Sequence, residues 1–214
     1  YNTWDEINDP DRPVSNWEGA GLQPGDLKYR DLDGNGVIDA NDVTNIGYGD
    51  WPEITYGFSF GGNWKGIDFS VLFQGAGHVS TYFSARSGTY PFAADWGPAY
   101  EWNLERWTQE RYDNGEKITF PRLKISDIEH NYQKSSFWVQ DGSYLRLKNL
   151  EIGYTFPKAM LQKVKITNLR IYISGNNLYT WKRYKYPLDP VAGEGWGRVY
   201  PPMRVYNIGV NFQF

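Results

Sequence analysis

Arg204-Val205-Tyr206-Asn207-Ile208-Gly209-Val210-Asn211-Phe212-Gln213-Phe214 alternates from end to end. Successive side chains of an extended strand point to opposite faces. Tyr206, Ile208, Val210, Phe212 and Phe214 therefore share one face, and Val205, Asn207, Gly209, Asn211 and Gln213 the other. About ten residues is the length that one tilted strand needs to cross a bilayer. The last strand of a water-soluble sandwich would alternate too, so two architectures stand open at this point.

The same period recurs upstream. In Ile54-Thr55-Tyr56-Gly57-Phe58-Ser59-Phe60-Gly61 the even positions are apolar, and in 66–74 Ile67, Phe69, Val71 and Phe73 share a face. The Gly62-Asn63-Trp64-Lys65 stretch between them predicts a hairpin turn. Strands are also expected over 144–156, with Leu150, Ile152, Tyr154 and Phe156 together, over 168–178, and over 204–214. Residues 1–53 carry breakers such as Asp9-Pro10 and Pro24-Gly25 and are expected to be loop, as are 75–143, apart from a helical turn near 99–112, and 179–203. If the last strand runs inward, every long segment falls on one side and both short turns on the other. Long outer loops and short inner turns are the habit of membrane barrels.

Composition agrees without deciding. Trp 10, Tyr 17 and Phe 11 make 18% of the chain, with 23 Gly. Trp and Tyr concentrate at both lipid–water boundaries of membrane proteins, yet carbohydrate-binding sandwiches are aromatic as well. Lys+Arg 22 against Asp+Glu 25 gives no basic field for nucleic acid, and the absence of cysteine removes thiol chemistry and disulfides. No apolar run approaches the roughly 20 residues of a spanning helix. Five strands leave a sheet with open edges, which lipid does not tolerate. The expected fold is therefore all-β: the C-terminal strands of an antiparallel transmembrane barrel, completed by strands from a missing N-terminal part.

One segment carries readable site chemistry. Asp31-Leu32-Asp33-Gly34-Asn35-Gly36-Val37-Ile38-Asp39-Ala40-Asn41-Asp42 follows the calcium-loop spacing. Asp31, Asp33 and Asn35 would supply oxygens at positions 1, 3 and 5, and Gly36 the sharp turn. The Val37 carbonyl would serve position 7, Asp39 position 9, directly or through water, and Asp42 position 12. Asp stands at the end where a regulatory loop has Glu, and no amphipathic helix flanks it, so the expected role of calcium is to stiffen an external loop. An acidic surface turn without metal is the competing reading.

Other constellations are weaker. Asp95, Glu101, Glu105 and Glu110 could hold a glycosidase pair, but a solvated loop face explains them as well. His78 and His130 lack a nucleophile, base or metal-spaced partner. Tyr82, Phe83, Tyr90, Phe92, Trp96, Tyr100, Trp102 and Trp107 are expected mainly to pack their loop, with a minority touching substrate or a lid protein. A secreted, calcium-stabilised carbohydrate-binding sandwich and a glycoside hydrolase fragment are the rivals to the barrel.

Five ordered segments resemble the C-terminal end of SusC/RagA-type TonB-linked outer-membrane transporters. They are the 31–42 loop with Ile46-Gly47, then Ile54-Thr55-Tyr56-Gly57-Phe58, then Lys65-Gly66-Ile67-Asp68-Phe69 to Phe73-Gln74-Gly75. Ser135 to Asn149 with Gly153-Tyr154 follows, and then Leu169-Arg170-Ile171-Tyr172 to Gly175-Asn176-Asn177-Leu178 with Leu188-Asp189-Pro190. A terminal Phe on an alternating strand also resembles the signal read by the outer-membrane assembly machinery, here Tyr206, Ile208, Val210, Phe212 and Phe214. The resemblance implies a barrel of about 22 strands with a plug domain in the Gram-negative outer membrane. It implies a SusD-like surface lipoprotein as lid, TonB as energy source through the missing N-terminal part, and oligosaccharides or peptides as cargo. No enzyme activity and no substrate-binding residue are carried over, and the face expected to meet lipid holds Phe58, Phe60, Phe69, Phe73, Ile171, Ile173, Val210 and Phe212.

Overall fold

The computed structural model describes residues 1–19, 21–83, 99–124, 129–162, 165–184, 186, 188–191 and 200–214. They form two compact units, one drawn from Tyr1–Gly47 and Tyr82–Gln140, the other from Tyr48–Thr81, Asp141–Ala192 and Tyr200–Phe214.

The second unit is built on five long strands: β3 (Ile54–Trp64), β4 (Ile67–Gly77), β7 (Tyr144–Thr155), β8 (Asn168–Lys182) and β9 (Val205–Gln213). They lie in the order β3-β4-β7-β8-β9, each antiparallel to its neighbour. The β3–β4 turn is tighter than expected. Trp64 pairs with Ile67, leaving only Lys65 and Gly66, at φ 51 and φ 88. Two positive φ angles in a two-residue loop match the right-handed twist of the flanking strands.

Register places Trp64, Ile67, Tyr154, Ile171 and Val210 in one row across all five strands. The short connections, 65–66 and 156–167, leave from that end, and the long ones, 78–143 and 183–204, from the other. Partners in an antiparallel ladder share a face. Phe58, Phe60, Phe69, Phe73, Ile171, Ile173, Val210 and Phe212 consequently stand together, joined by Ile152, Tyr154, Tyr179 and Trp181. The opposite face carries Asp68, Ser70, Gln74, Arg146, Glu151, Arg170, Asn207 and Asn211.

An irregularity keeps this sorting intact. Leu145 and Leu147 are out of phase with Leu150, Ile152 and Tyr154, so a regular strand would turn one group to the polar side. The register shifts between Leu72 and Phe73 on β4 and between Leu147 and Asn149 on β7, and the extra residue restores the apolar face. A bulge does this at the cost of one break in the ladder. On β8 the matching stretch contains Asn177 at φ 53, a left-handed position that Asn tolerates better than most residues.

The first unit, expected to be loop, has a core of its own. It includes α1 (Trp4–Ile7), β1 (Val14–Ser15), β2 (Val37–Ile38) and α2 (Gln109–Asp113). Short strands β5 (Ser80–Tyr82) and β6 (Val139–Asp141) pair with each other, and α3 (Lys158–Leu161) lies in the β7–β8 connection. Trp138 is fully buried, with Phe120 and Phe137 set edge-on against its ring. Beside it the buried Asp26 carboxylate accepts from Arg122 Nε at 2.6 Å, Asn131 Nδ2 at 2.9 Å and the Gln23 backbone N–H at 2.8 Å. A buried charge is tolerable when it is paired and bonded this fully. No periodic pattern announced this core, because the bonds of Asp26 to Arg122 and Asn131 join residues about a hundred positions apart.

Candidate functional site

The 31–42 loop folds around its own carboxylates. Gly34 N–H and Gly36 N–H donate to the two oxygens of Asp31 at 2.7 and 2.8 Å, and Asn35 N–H donates to Asp33 at 3.1 Å. Leu32 N–H and Asp39 N–H close the loop on Asp42 at 2.6 and 2.8 Å. Gly34 and Gly36 take φ 76 and φ 84. Those two bonds, the Leu32 N–H first, hold the Asp42 carboxyl below its usual range.

This folding gathers Asp31, Asp33 and Asp42, each offering an oxygen within 4.8 Å of the others. Among the described residues no Lys or Arg pairs with them. Three unneutralised carboxylates at that spacing repel one another, and a hard divalent cation is what such an oxygen set accommodates. Asp39 stands apart from the trio and accepts from the Asn41 N–H at 2.7 Å. Asn35 Oδ1 accepts from Val37 N–H at 2.7 Å. The Val37–Ile38 strand is tied to β1 through the Gly36 and Ile38 carbonyls, which flank the Val37 carbonyl assigned to position 7. Ile38, 2% exposed, pins the loop to the core of its unit.

The remaining sequence candidates separate. Glu105 accepts from Lys117 and Thr119, and Glu101 and Glu110 open short helical turns, so these carboxylates do structural work. Asp95, Tyr90, Phe92 and Trp96 lie outside the described residues. Phe83 is buried, Tyr100 and Trp102 stack at 4.2 Å, and the Trp107 ring lies over Gly25. His78 stacks on Tyr48 and reaches Glu53 at 3.2 Å, while His130 is buried against Tyr29.

The sheet is the larger functional surface. Both faces of β3 and nearly all of β9 are open, and each edge strand has a neighbour on one side only. On the apolar face Ile208 is 82% exposed and Phe212 61%. On the polar face Arg170 holds Asp68 through Nε at 3.0 Å and through Nη2, which also reaches Glu151 at 2.7 Å. Sequence reasoning missed that fork, although an Arg and two acids on inward positions of adjacent strands were its available signal. Among the described residues no helix is long and apolar enough to cross a membrane, which says nothing against crossing by strands.

No family model matches the chain. It is 30% identical over 213 residues to TonB-dependent receptor P3 of Formosa agariphila, covering 89% of this chain and 19% of that protein. It is 28% identical to TonB-dependent receptor P26 of the same organism, covering 89% of this chain and 20% of that one. Among solved structures, the RagAB peptide transporter superposes with a TM-score of 0.61 at 27% identity, over 86% of this chain and 20% of the matched one. The RagAB peptide importer in its open-open state gives 0.60 at 29% identity, over 83% and 19%. The chain thus spans about a fifth of the length of the relatives that it matches.

Proposed function

This chain is homologous to TonB-dependent receptors, across about a fifth of their length, and from that premise we propose that it is a stretch of barrel wall in a Gram-negative outer-membrane importer. The observation that carries the reading is the two-sided sheet. It presents an apolar face to one side and a polar, charged face to the other, and among the described residues each edge strand has a neighbour on one side only. In water such a face would be a large aggregation-prone patch, and in lipid the open edges would leave backbone groups unsatisfied. Both problems disappear when further strands close the sheet into a barrel with the apolar side outward. A sandwich would need a second layer over the face that carries Phe58 and Ile208, and the described residues supply none.

The relatives are named as receptors and transporters, not enzymes, and RagAB as a peptide importer. By that kinship TonB acts through another part of the protein and a peptide is one candidate cargo, and the resemblance of the five ordered segments adds oligosaccharide as a cargo and a SusD-like lipoprotein as the lid. The 31–42 loop binds calcium, which stiffens the segment carrying it.

Alternating accessibility in the full-length protein tests the wall. Single cysteines at Ile208 and Val210 should resist a water-soluble maleimide in intact outer membranes, while those at Asn207 and Asn211 react. Equal labelling at both parities would sink the assignment. For the metal, calorimetry on the full-length protein should show calcium heat that Asp33→Ala abolishes. No heat at millimolar calcium would retire the loop as a site. Deleting the gene should impair growth on a particular oligosaccharide or peptide source.

A further inference from the structure

Two segments 43 positions apart meet on the polar face. Arg146 of β7 is 2% exposed, in a row whose strand partners are Gln74 and Thr180. Its Nη2 donates to both oxygens of Asp189 at 2.7 and 2.6 Å, and its Nε donates to Thr180 Oγ1 at 3.0 Å. One strand end further out, Lys182 lies on the same face, opposite Tyr144. Its Nζ donates to the carbonyls of Tyr186 and Leu188, the latter at 2.7 Å, and sits 4.4 Å from the Tyr184 ring centre. Tyr184 closes the set by donating its hydroxyl to the Leu188 carbonyl at 2.6 Å. Asp189 also accepts from the Val191 N–H at 2.9 Å.

We propose that residues 183, 184, 186 and 188–191 belong to a strap clasped across the polar face at the long-loop end of the wall, narrowing the mouth of the lumen. The chain leaves β8 at Lys182 and could continue outward, away from the sheet. Instead, two cations rooted on inward positions of β7 and β8 hold it by two carboxylate bonds and two carbonyl bonds. Tyr184 and Tyr186 are buried at 5% and 4%, far below the half-open residues of the surrounding strands. Nη2 straddles both carboxylate oxygens while Nε is held by Thr180, and such a charge-assisted contact is stronger than a neutral hydrogen bond. Once buried, neither partner can be removed without stranding the other. The clasp makes the strap a fixed sill of the lumen, not a mobile loop.

This inference rests on the barrel reading for the word lumen, and on the geometry alone for the clasp, so its test has two arms. Tyr186→Cys in the detergent-solubilised full-length protein should react with maleimide at least tenfold faster when Arg146→Met is added. Asp189→Asn, which removes the charge and keeps the shape, carries the same readout should Arg146→Met fail to assemble. Unchanged labelling in an assembled clasp variant would overturn the proposal. In intact cells, a polyethylene-glycol maleimide added outside should label Gln74→Cys, on the same polar face as the clasp, faster when Arg146→Met or Asp189→Asn is added. Released Tyr186→Cys labelling with no change at Gln74→Cys would overturn the sill while leaving the barrel reading to the alternating-cysteine test.

Discussion

Arg170 crosses the backbone of Gly153 to reach Asp68. A Cβ built on Gly153 would fall 2.5 Å from Arg170 Nη2 and 2.7 Å from its Cζ. Glycine at this strand position is a clearance for the guanidinium on its way from β8, over β7, to β4. Gly153→Ala should therefore displace the fork from Asp68 and Glu151. The side chains of this trio are 20–37% exposed, so the loss is modest, on the order of 0.2–1 kcal/mol, as for other water-screened pairs. A double-mutant cycle with Arg170→Met, followed by thermal unfolding of the full-length protein in detergent, measures the coupling. If Gly153→Ala costs as much with Arg170 absent, the clearance account fails.

Val210 pairs with Ile171, and Asn211 beside it with Arg170. A charge on the first of these two neighbouring positions meets lipid and on the second meets the polar interior. Val210→Arg should destabilise the assembled barrel by about 2–4 kcal/mol if the site lies near mid-bilayer, whereas Asn211→Arg should cost well under half as much. Heat-modifiability on gels and the amount recovered in the outer membrane report both. Equal losses would mean that the two faces are not differently solvated.

Asp42 is partly exposed, and its carboxyl is held below the ordinary 3.8 by the Leu32 and Asp39 N–H groups. A depressed carboxyl contributes stability above its unfolded value and loses it as pH falls through the lower folded one. The loop should keep its closure at neutral pH and open only in strong acid. Asp42→Asn preserves the shape but removes one of the three gathered charges. Calcium affinity at neutral pH should then drop on the order of tenfold, since affinity in such loops follows ligand charge. Titration calorimetry decides, and an unaltered affinity would place the cation elsewhere or nowhere.

The strands were legible because a sheet with one face in lipid and one in water must alternate, and nothing in 204–214 interrupts the alternation. Their ends were less so. Gly62, Asn63 and Trp64 have turn-like composition but are strand, and β4 runs on through Gly75, Ala76 and Gly77, where missing side chains erase the pattern. Tyr179 to Lys182 belong to β8, although the aromatic and Pro-rich stretch that follows drew them into a predicted loop. The bulge was written in the sequence as the phase slip between Leu147 and Leu150. In the 31–42 loop the spacing pointed Asp31, Asp33 and Asp42 toward one centre, where they do lie together, and put Asp39 at a position that can act directly or through water. Neither the clasp of Arg146 on Asp189 nor the bonding of Asp26 to Arg122 has a local signature, because long-range ion pairs leave no periodicity.

His130 gives the first unit a predictable response to acid. The ring is 2% exposed, Nε2 lies 2.7 Å from the Leu27 carbonyl, and buried Nδ1 has no hydrogen-bond partner. Nε2 must then carry the proton, donating to Leu27, and a second proton on Nδ1 would find no acceptor. Burial pushes the ring below its ordinary 6.5, outweighing the bond to Leu27 and the charges of Asp26 and Glu18. The folded ring thus stays neutral at a pH where the unfolded one has already taken up a proton. Stability is complete above about 6.5 and falls as pH drops from there toward the lower folded value. Hydrogen exchange of the full-length protein between pH 7.5 and 5.5, corrected for intrinsic rates, should show residues 21–30 and 129–138 losing protection in acid. His130→Gln can still donate to Leu27 but does not titrate, so the pH dependence should flatten even where its absolute protection is lower. A slope that survives in His130→Gln would mean that another group senses the acid.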